Sequence, residues 1–322
     1  MLAVAALLWA LPVAAQGVPA APPAVTPAAA IPAEPTPEEV LLEFRELATR
    51  MTVPVTIAAK GPWNFVVDTG AERTVVSREL AATLGLAAGP SVRVVALTGP
   101  EWVPTVRVPS LAVSSISARG IVSPALAARD LGALGMVGID TLQDHSVVID
   151  FDARRMTLTP SKKRRRPPVS RDDIVVTAKS LYGQLIVTDA RWLGRRIAVV
   201  VDTGTPVSIG NPALGRLIAN ARPAGKVELI AATGDILSAD SVVVQGIEVG
   251  GVGFSDVALA IADAAPFRRF GLADSPALMM GMDMLRLFRR VRIDSPNREI
   301  RFTLPRGMRD GPRIGIGGAP SP

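Results

Sequence analysis

The feature that most constrains this chain is an internal repeat. FVVDTGAERTVVS (65–77) is matched by AVVVDTGTPVSIG (198–210), and ALTGPEW (96–102) by AATGDIL (231–237). Further on, MVGIDTL (136–142) is matched by MMGMDML (279–285), and VVIDFDARRMTL (147–158) by VRIDSPNREIRF (291–302). Asp68 and Asp202 lie 134 residues apart, Thr98 and Thr233 135, Gly138 and Gly281 143, and Asp150 and Asp294 144. Four landmarks in one order at nearly one offset describe two copies of a single folding unit. The drift in offset places a few extra residues in the second copy, around 267–275.

Each copy has the pattern of short strands. A Val-rich strand runs into Asp-Thr-Gly. A second strand and a short helix follow, with Ser77 and Asn211-Pro212 as helix-start signals. Next come a hairpin with Thr-Gly near its tip, more strands, an apolar-apolar-Gly segment, a short helix and a closing strand. The 28 Gly and 28 Pro suit such strands and turns, and with aromatics at 4% the core must rest on aliphatic residues.

Composition also excludes whole classes of chemistry. There is no cysteine, hence no thiolate nucleophile, disulfide or Cys-based metal site. The single histidine, His145, cannot build a His-rich zinc site, and no partner motif makes it part of a triad. No phosphate loop, metal-ligand cluster or basic patch interleaved with aromatics is present, so no cofactor, metal or nucleic acid is expected.

Six segments follow. Residues 1–15 (MLAVAALLWALPVAA) read as a signal segment with cleavage after Ala15, an uncleaved anchor being the alternative. No other stretch resembles a transmembrane helix, so a secreted or periplasmic location is expected. Residues 16–35 are an Ala/Pro-rich tether. The first repeat with its leading helix, opened by Thr36-Pro37-Glu38-Glu39, covers 36–160. A linker, 161–173, carries Lys162-Lys163-Arg164-Arg165-Arg166, part of a formal charge of +6. Such a run reads as solvated, with contact to an anionic lipid or polymer as the alternative. The second repeat is 174–304, and 305–322 is a Gly/Pro-rich tail.

The chemistry rests on Asp68 and Asp202. A carboxylate at the end of a buried apolar strand is held where water is scarce. Two such groups brought close cannot both ionise, so the pair keeps one proton. One then serves as base toward a water while the other, protonated, hydrogen-bonds a substrate carbonyl. Gly70 and Gly204 permit a tight turn with backbone N–H groups near the carboxylates. Thr69 and Thr203 offer hydroxyls. The copies differ at the next residue, Ala71 against Thr205, whose hydroxyl could donate to Asp202. The plain alternative, two unrelated turn aspartates, is outweighed by the repeat context.

Asp68-Thr69-Gly70-Ala71, preceded by Phe65-Val66-Val67 and followed by Glu72-Arg73-Thr74, resembles the active-site loop of the retropepsin-like aspartic proteases. Met136-Val137-Gly138 resembles the second landmark of that family. The resemblance covers about 52–160 and again 174–304. It implies an all-β, retropepsin-like fold of closed barrel halves, paired as a single-chain pseudo-dimer with the site between the halves under two flaps. It further implies an aspartic endopeptidase with Thr69 and Thr203 interlocked across the halves, and flap tips at Thr98-Gly99 and Thr233-Gly234 that bind substrate. The expected partner is a peptide or protein in extended conformation, and the expected assembly a monomer.

Two departures matter. The residue after the downstream glycine is Ile139 or Met282, where viral members carry Arg, and the next is Asp140 or Asp283, which reads as orienting the short helix. The family also usually supplies one repeat per chain and dimerises, so a domain-swapped dimer is an alternative assembly. The alternative function is a catalytically inactive binding or scaffold protein of the same fold.

Overall fold

The structure, a computed structural model, describes residues 52–113, 116–142, 144–161, 170, 172–307 and 313–315. The signal segment, the tether, the leading helix and the Lys162–Arg166 run lie outside these residues, as does most of the tail.

The first half comprises β1 (Thr52–Ile57), β2 (Lys60–Val67), β3 (Val75–Ser77), α1 (Arg78–Leu84), β4 (Ala88–Val95) and β5 (Pro100–Val113). It continues with β6 (Ile116–Leu126), α2 (Ala128–Leu131), β7 (Gly135–Val137), α3 (Ile139–Leu142), β8 (His145–Asp150) and β9 (Arg155–Pro160). The second half begins with β10 (Asp173–Leu181), β11 (Gln184–Trp192), β12 (Arg195–Val201), β13 (Ile209–Gly210), α4 (Pro212–Leu217), β14 (Arg222–Ile230) and β15 (Ile236–Val244). Then come β16 (Ile247–Val249), β17 (Val252–Ser255), β18 (Val257–Ile261), α5 (Ala265–Arg269), β19 (Ala277–Met280) and α6 (Met282–Leu285). It ends with β20 (Arg290–Asp294), β21 (Glu299–Thr303) and β22 (Arg313–Gly315). Strands dominate, as the all-β expectation requires, and among the described residues no helix is long and apolar enough to cross a membrane.

Side-chain alternation explains the strands. In β1, Val53, Val55 and Ile57 are buried while Thr52 and Pro54 are exposed. The ends of β2 and β12 lack this alternation. Phe65-Val66-Val67 and Val199-Val200-Val201 are buried throughout, because both faces of these strands are covered. The helix-start signals are met. The Ser77 hydroxyl accepts the Leu80 N–H at 3.1 Å, and Asn211 Oδ1 accepts the Leu214 N–H at 2.8 Å.

Six strands of the first half follow the order β1-β2-β7-β3-β6-β5, and β5 returns to β1 through Val55↔Val113 and Ile57↔Leu111. This closes a barrel and leaves no edge in it. The second half runs β11-β12-β19-β13-β18-β15, with β16 joined to β11 through Ala190↔Val249. The single long strand β5 thus has two successors, β15 and β16, divided where Gly246 takes a φ of 79°. In each half one strand, β4 or β14, stands outside this circuit as the free arm of a hairpin.

The halves are joined by a sheet of order β9-β8-β20-β21-β10. Its central pair, β8 with β20, crosses between them with Ile149 opposite Val291 and Val147 opposite Ile293. The main apolar core is likewise shared, with Val67, Val137 and Ile149 from one half and Val201, Met280 and Phe302 from the other. Phe288, 1% exposed, sits edge-on to Phe254 (5.7 Å between centroids) and stacks on Phe302 (4.5 Å). Phe288→Ala is expected to destabilise the chain by about 3–5 kcal/mol, through lost transfer energy and the cavity left behind. A urea titration showing a change below 1 kcal/mol would contradict this placement.

Candidate active site

Two parallel pairings fix the Asp-Thr-Gly loops. β2 runs beside β7 (Val67↔Val137), and β12 beside β19 (Val201↔Met280). Where each strand ends, the pattern carries on by one bond. The Asp68 N–H donates to the Val137 carbonyl at 3.0 Å, and the Asp202 N–H to the Met280 carbonyl at 3.0 Å. The downstream glycines are required by close backbone approach. A Cβ on Gly138 would lie 2.5 Å from the carbonyl carbon of Arg73, and one on Gly281 would lie 2.7 Å from the Val207 carbonyl oxygen.

Asp140 and Asp283 brace these crossings. Asp140 Oδ1 accepts the Thr74 N–H (2.9 Å), the Thr74 hydroxyl (2.7 Å) and the Thr141 N–H (2.8 Å). Asp283 accepts the Ser208 N–H (2.9 Å), the Ser208 hydroxyl (2.6 Å) and the Met284 N–H (2.7 Å). Each hydroxyl also accepts a downstream glycine N–H, Gly138 to Thr74 at 3.1 Å and Gly281 to Ser208 at 3.0 Å. These carboxylates thus orient the short helices α3 and α6, as their place after the glycine suggests. Thr74 and Ser208 correspond, each standing six residues after its loop aspartate.

The two loops meet through their threonines. The Thr69 N–H donates to Thr203 Oγ1 at 3.1 Å, and the Thr203 N–H to Thr69 Oγ1 at 3.2 Å. The hydroxyls point onward, Thr69 donating to the Val201 carbonyl at 3.1 Å and Thr203 to the Val67 carbonyl at 2.8 Å. The interlock is buried on both sides. It sets the carboxyl of each aspartate against the glycine of the opposite loop. A Cβ on Gly70 would stand 2.6 Å from Asp202 Cγ, and one on Gly204 would stand 2.1 Å from Asp68 Cγ. Within its own loop Asp68 Oδ1 accepts the Gly70 and Ala71 N–H groups (2.7 and 3.0 Å), and Asp202 Oδ1 accepts the Gly204 N–H (2.8 Å). Asp68 and Asp202 are each 8% exposed, and both open onto one cleft.

That cleft has a volume of about 760 Å³ and is walled by both halves. Val75, Leu126 and Met136 line it on one side, and Val207, Ile209 and Met279 on the other. The β4–β5 and β14–β15 hairpins roof it. Gly99 and Gly234 take φ values of 158° and 101° at the tips. Each tip reaches the opposite half: Leu97 packs on the Val207 and Ile209 cluster, and Ala232 on the Val75 and Leu131 cluster. Asp235 ties them together, accepting from the Thr98 hydroxyl at 3.1 Å and from the Thr233 hydroxyl at 3.2 Å. The residues named from sequence therefore fall in two places. Thr69, Gly70, Ala71, Thr203, Gly204 and Thr205 lie on the floor with the aspartates, and Thr98, Gly99, Thr233 and Gly234 at the flap tips.

Other cleft residues carry no sequence signal. Gln184, buried at the start of β11, donates its side-chain amide to the Gly70 carbonyl and has no counterpart bond on the Gly204 loop among the described residues. Arg269 of α5 pairs with Glu72 across the halves and lies over the Tyr182 ring at 4.3 Å. Trp102, on β5 just past the hairpin tip, is 70% exposed.

Burial pushes the Asp283 carboxyl up to about 6, against hydrogen bonds from Ser208, Met284 and its own backbone that favour its charged form. A raised folded-state pKa favours folding below about pH 4, where both states are protonated. That contribution is lost as pH rises to about 6, a swing on the order of 3 kcal/mol. Asp283→Asn is expected to flatten this segment. Urea midpoints measured at pH 4 and pH 6.5 check it, and the same difference in both proteins would refute the assignment.

Residues 53–141, from β1 into α3, match the family model of an aspartyl protease of the retropepsin-like clan. No curated protein matches the chain.

Proposed function

We propose that the chain is an aspartic endopeptidase whose water-activating pair is Asp68 and Asp202. The observation that carries this reading is the reciprocal packing of each carboxyl on the glycine of the opposite loop, at the floor of a roofed cleft. Two carboxyl groups in one desolvated site hold a single proton between them. The carboxylate takes a proton from a water whose oxygen attacks the peptide carbonyl carbon. The carboxylic acid gives its proton to the carbonyl oxygen as that oxygen gains charge, leaving a tetrahedral diol. As the C–N bond breaks, the diol returns one hydroxyl proton to the now-ionised aspartate, and the proton first taken from the water passes to the leaving nitrogen. No covalent enzyme intermediate is formed.

The substrate in this reading is an extended segment of a peptide or protein. It hydrogen-bonds along the flap strands and places alternate side chains in the apolar walls. The protein works as a monomer, one site per chain, outside the cytoplasm. The β8–β20 pairing and the threonine interlock within one chain favour this over a swapped dimer.

The test is cleavage of a mixed peptide library by the full chain across acidic to neutral pH. Asp68→Asn and Asp202→Asn are each expected to lower kcat/KM by on the order of 10²–10⁴-fold. Mixing the two variants is expected to restore nothing, whereas recovered activity would indicate sites shared between chains. An intact wild-type chain that cuts nothing at any pH would favour the binding-protein alternative.

A further inference from the structure

The two halves share a frame but not a charge pattern, and the differences fall on the cleft. Arg93 of β4 and Glu228 of β14 correspond, each standing five residues before its flap-tip threonine, and both line the cavity. Asp130 of α2 and Arg269 of α5 also correspond, each two residues before a glycine in the left-handed region, Gly132 (φ 67°) and Gly271 (φ 67°). At both pairs of positions the sign reverses.

Packing assigns these charges to opposite ends. Val92 and Val94, flanking Arg93, pack with Ala71 and Val75 just after the first aspartate, beside Glu72 and Arg73. Arg269 reaches the same end through its ion pair with Glu72. At the other end, Val227 and Leu229, flanking Glu228, pack with Val207. There Pro206 stands where the first loop has Glu72, so the counterpart of the Glu72–Arg269 pair cannot form. Asp130 keeps its neighbour Arg129 at 3.4 Å. Once the Glu72–Arg269 and Arg129–Asp130 pairs are set aside, Arg73 and Arg93 remain without an ion-pair partner among the described residues at one end, and Glu228 at the other.

We infer that the cleft is electrically polar and selects extended peptides acidic on one side of the scissile bond and basic on the other. This rests on the proposed peptidase reading for the bond that is cut, but not for the charge preference in binding. The charges are exposed, so each match contributes modestly and is weakened by salt. An electrostatic preference of this kind selects partners and speeds encounter.

The experiment uses four fluorescein-labelled peptides with one Val/Leu/Ala centre. Two carry paired Asp and paired Lys on opposite flanks, in the two possible orders. The others carry Asp on both flanks or Lys on both. Their Kd values are measured by anisotropy on the full chain bearing Asp202→Asn, and cleavage on the wild type. The better bipolar peptide is expected to bind roughly five- to tenfold tighter than either uniform one at low salt, with the gap closing toward 1 M NaCl. Adding Arg73→Glu with Arg93→Glu makes both ends negative and is expected to shift the preference to the Lys/Lys peptide. Uniform peptides that bind as well as the bipolar ones, an unchanged order in the charge-reversed chain, or no binding by any peptide would each overturn the inference. Charge preference without wild-type cleavage would keep the polar cleft and remove the peptidase reading. Cleavage without charge preference would do the reverse.

Discussion

Everything at the cleft floor hangs on the exchange between Thr69 and Thr203. Each backbone N–H is answered by the other's hydroxyl, and each hydroxyl is answered by a carbonyl at the end of the opposite Asp-bearing strand. The groups are buried, so an unmade bond costs the desolvation of a polar atom, about 1–3 kcal/mol. With four such bonds in a ring, neither loop can shift without stranding donors on both sides. The carboxyls ride on that ring, and so their mutual placement is a property of the pair of halves rather than of either one.

Around this fixed floor the halves are free to diverge. The turn residue after the glycine is Ala71 in one and Thr205 in the other. Glu72 gives way to Pro206, and among the described residues only the Gly70 loop receives a side-chain amide, from Gln184. A symmetric assembly of identical copies could make none of these distinctions. Fusing two copies into one chain keeps the geometry two-fold and lets the chemistry of each wall differ.

The architecture was legible because it is written in short-range pattern. Phe65-Val66-Val67 and Val199-Val200-Val201 announce strands covered on both faces, Ser77 and Asn211 announce helix starts, and Gly138 and Gly281 mark crossings that tolerate no side chain. The aspartates and threonines of the floor were legible because their setting occurs twice. What lay beyond reach depends on contacts between distant segments. Gln184 gains its place only when β11 is laid against the Asp68 loop, and Arg269 meets Glu72 across 197 positions of sequence. Asp235, one residue past a hairpin-tip glycine, meets Thr98 only when the two hairpin tips are brought together.

The sheet that joins the halves bears on how the molecule comes into being. β8 must wait for β20, its partner from 140 or more residues later, and β10 must wait for β21. Pairings this distant in sequence close large loops and form slowly. During synthesis the first barrel can close on itself, since β1 to β7 all lie within its own stretch of chain. Its aspartate nonetheless has no opposite loop until β12 has emerged, and no shared sheet until β20 and β21 follow. A nascent chain therefore carries half a cleft floor until the second half has been made. The order of the strands itself makes the completed floor wait for the second half.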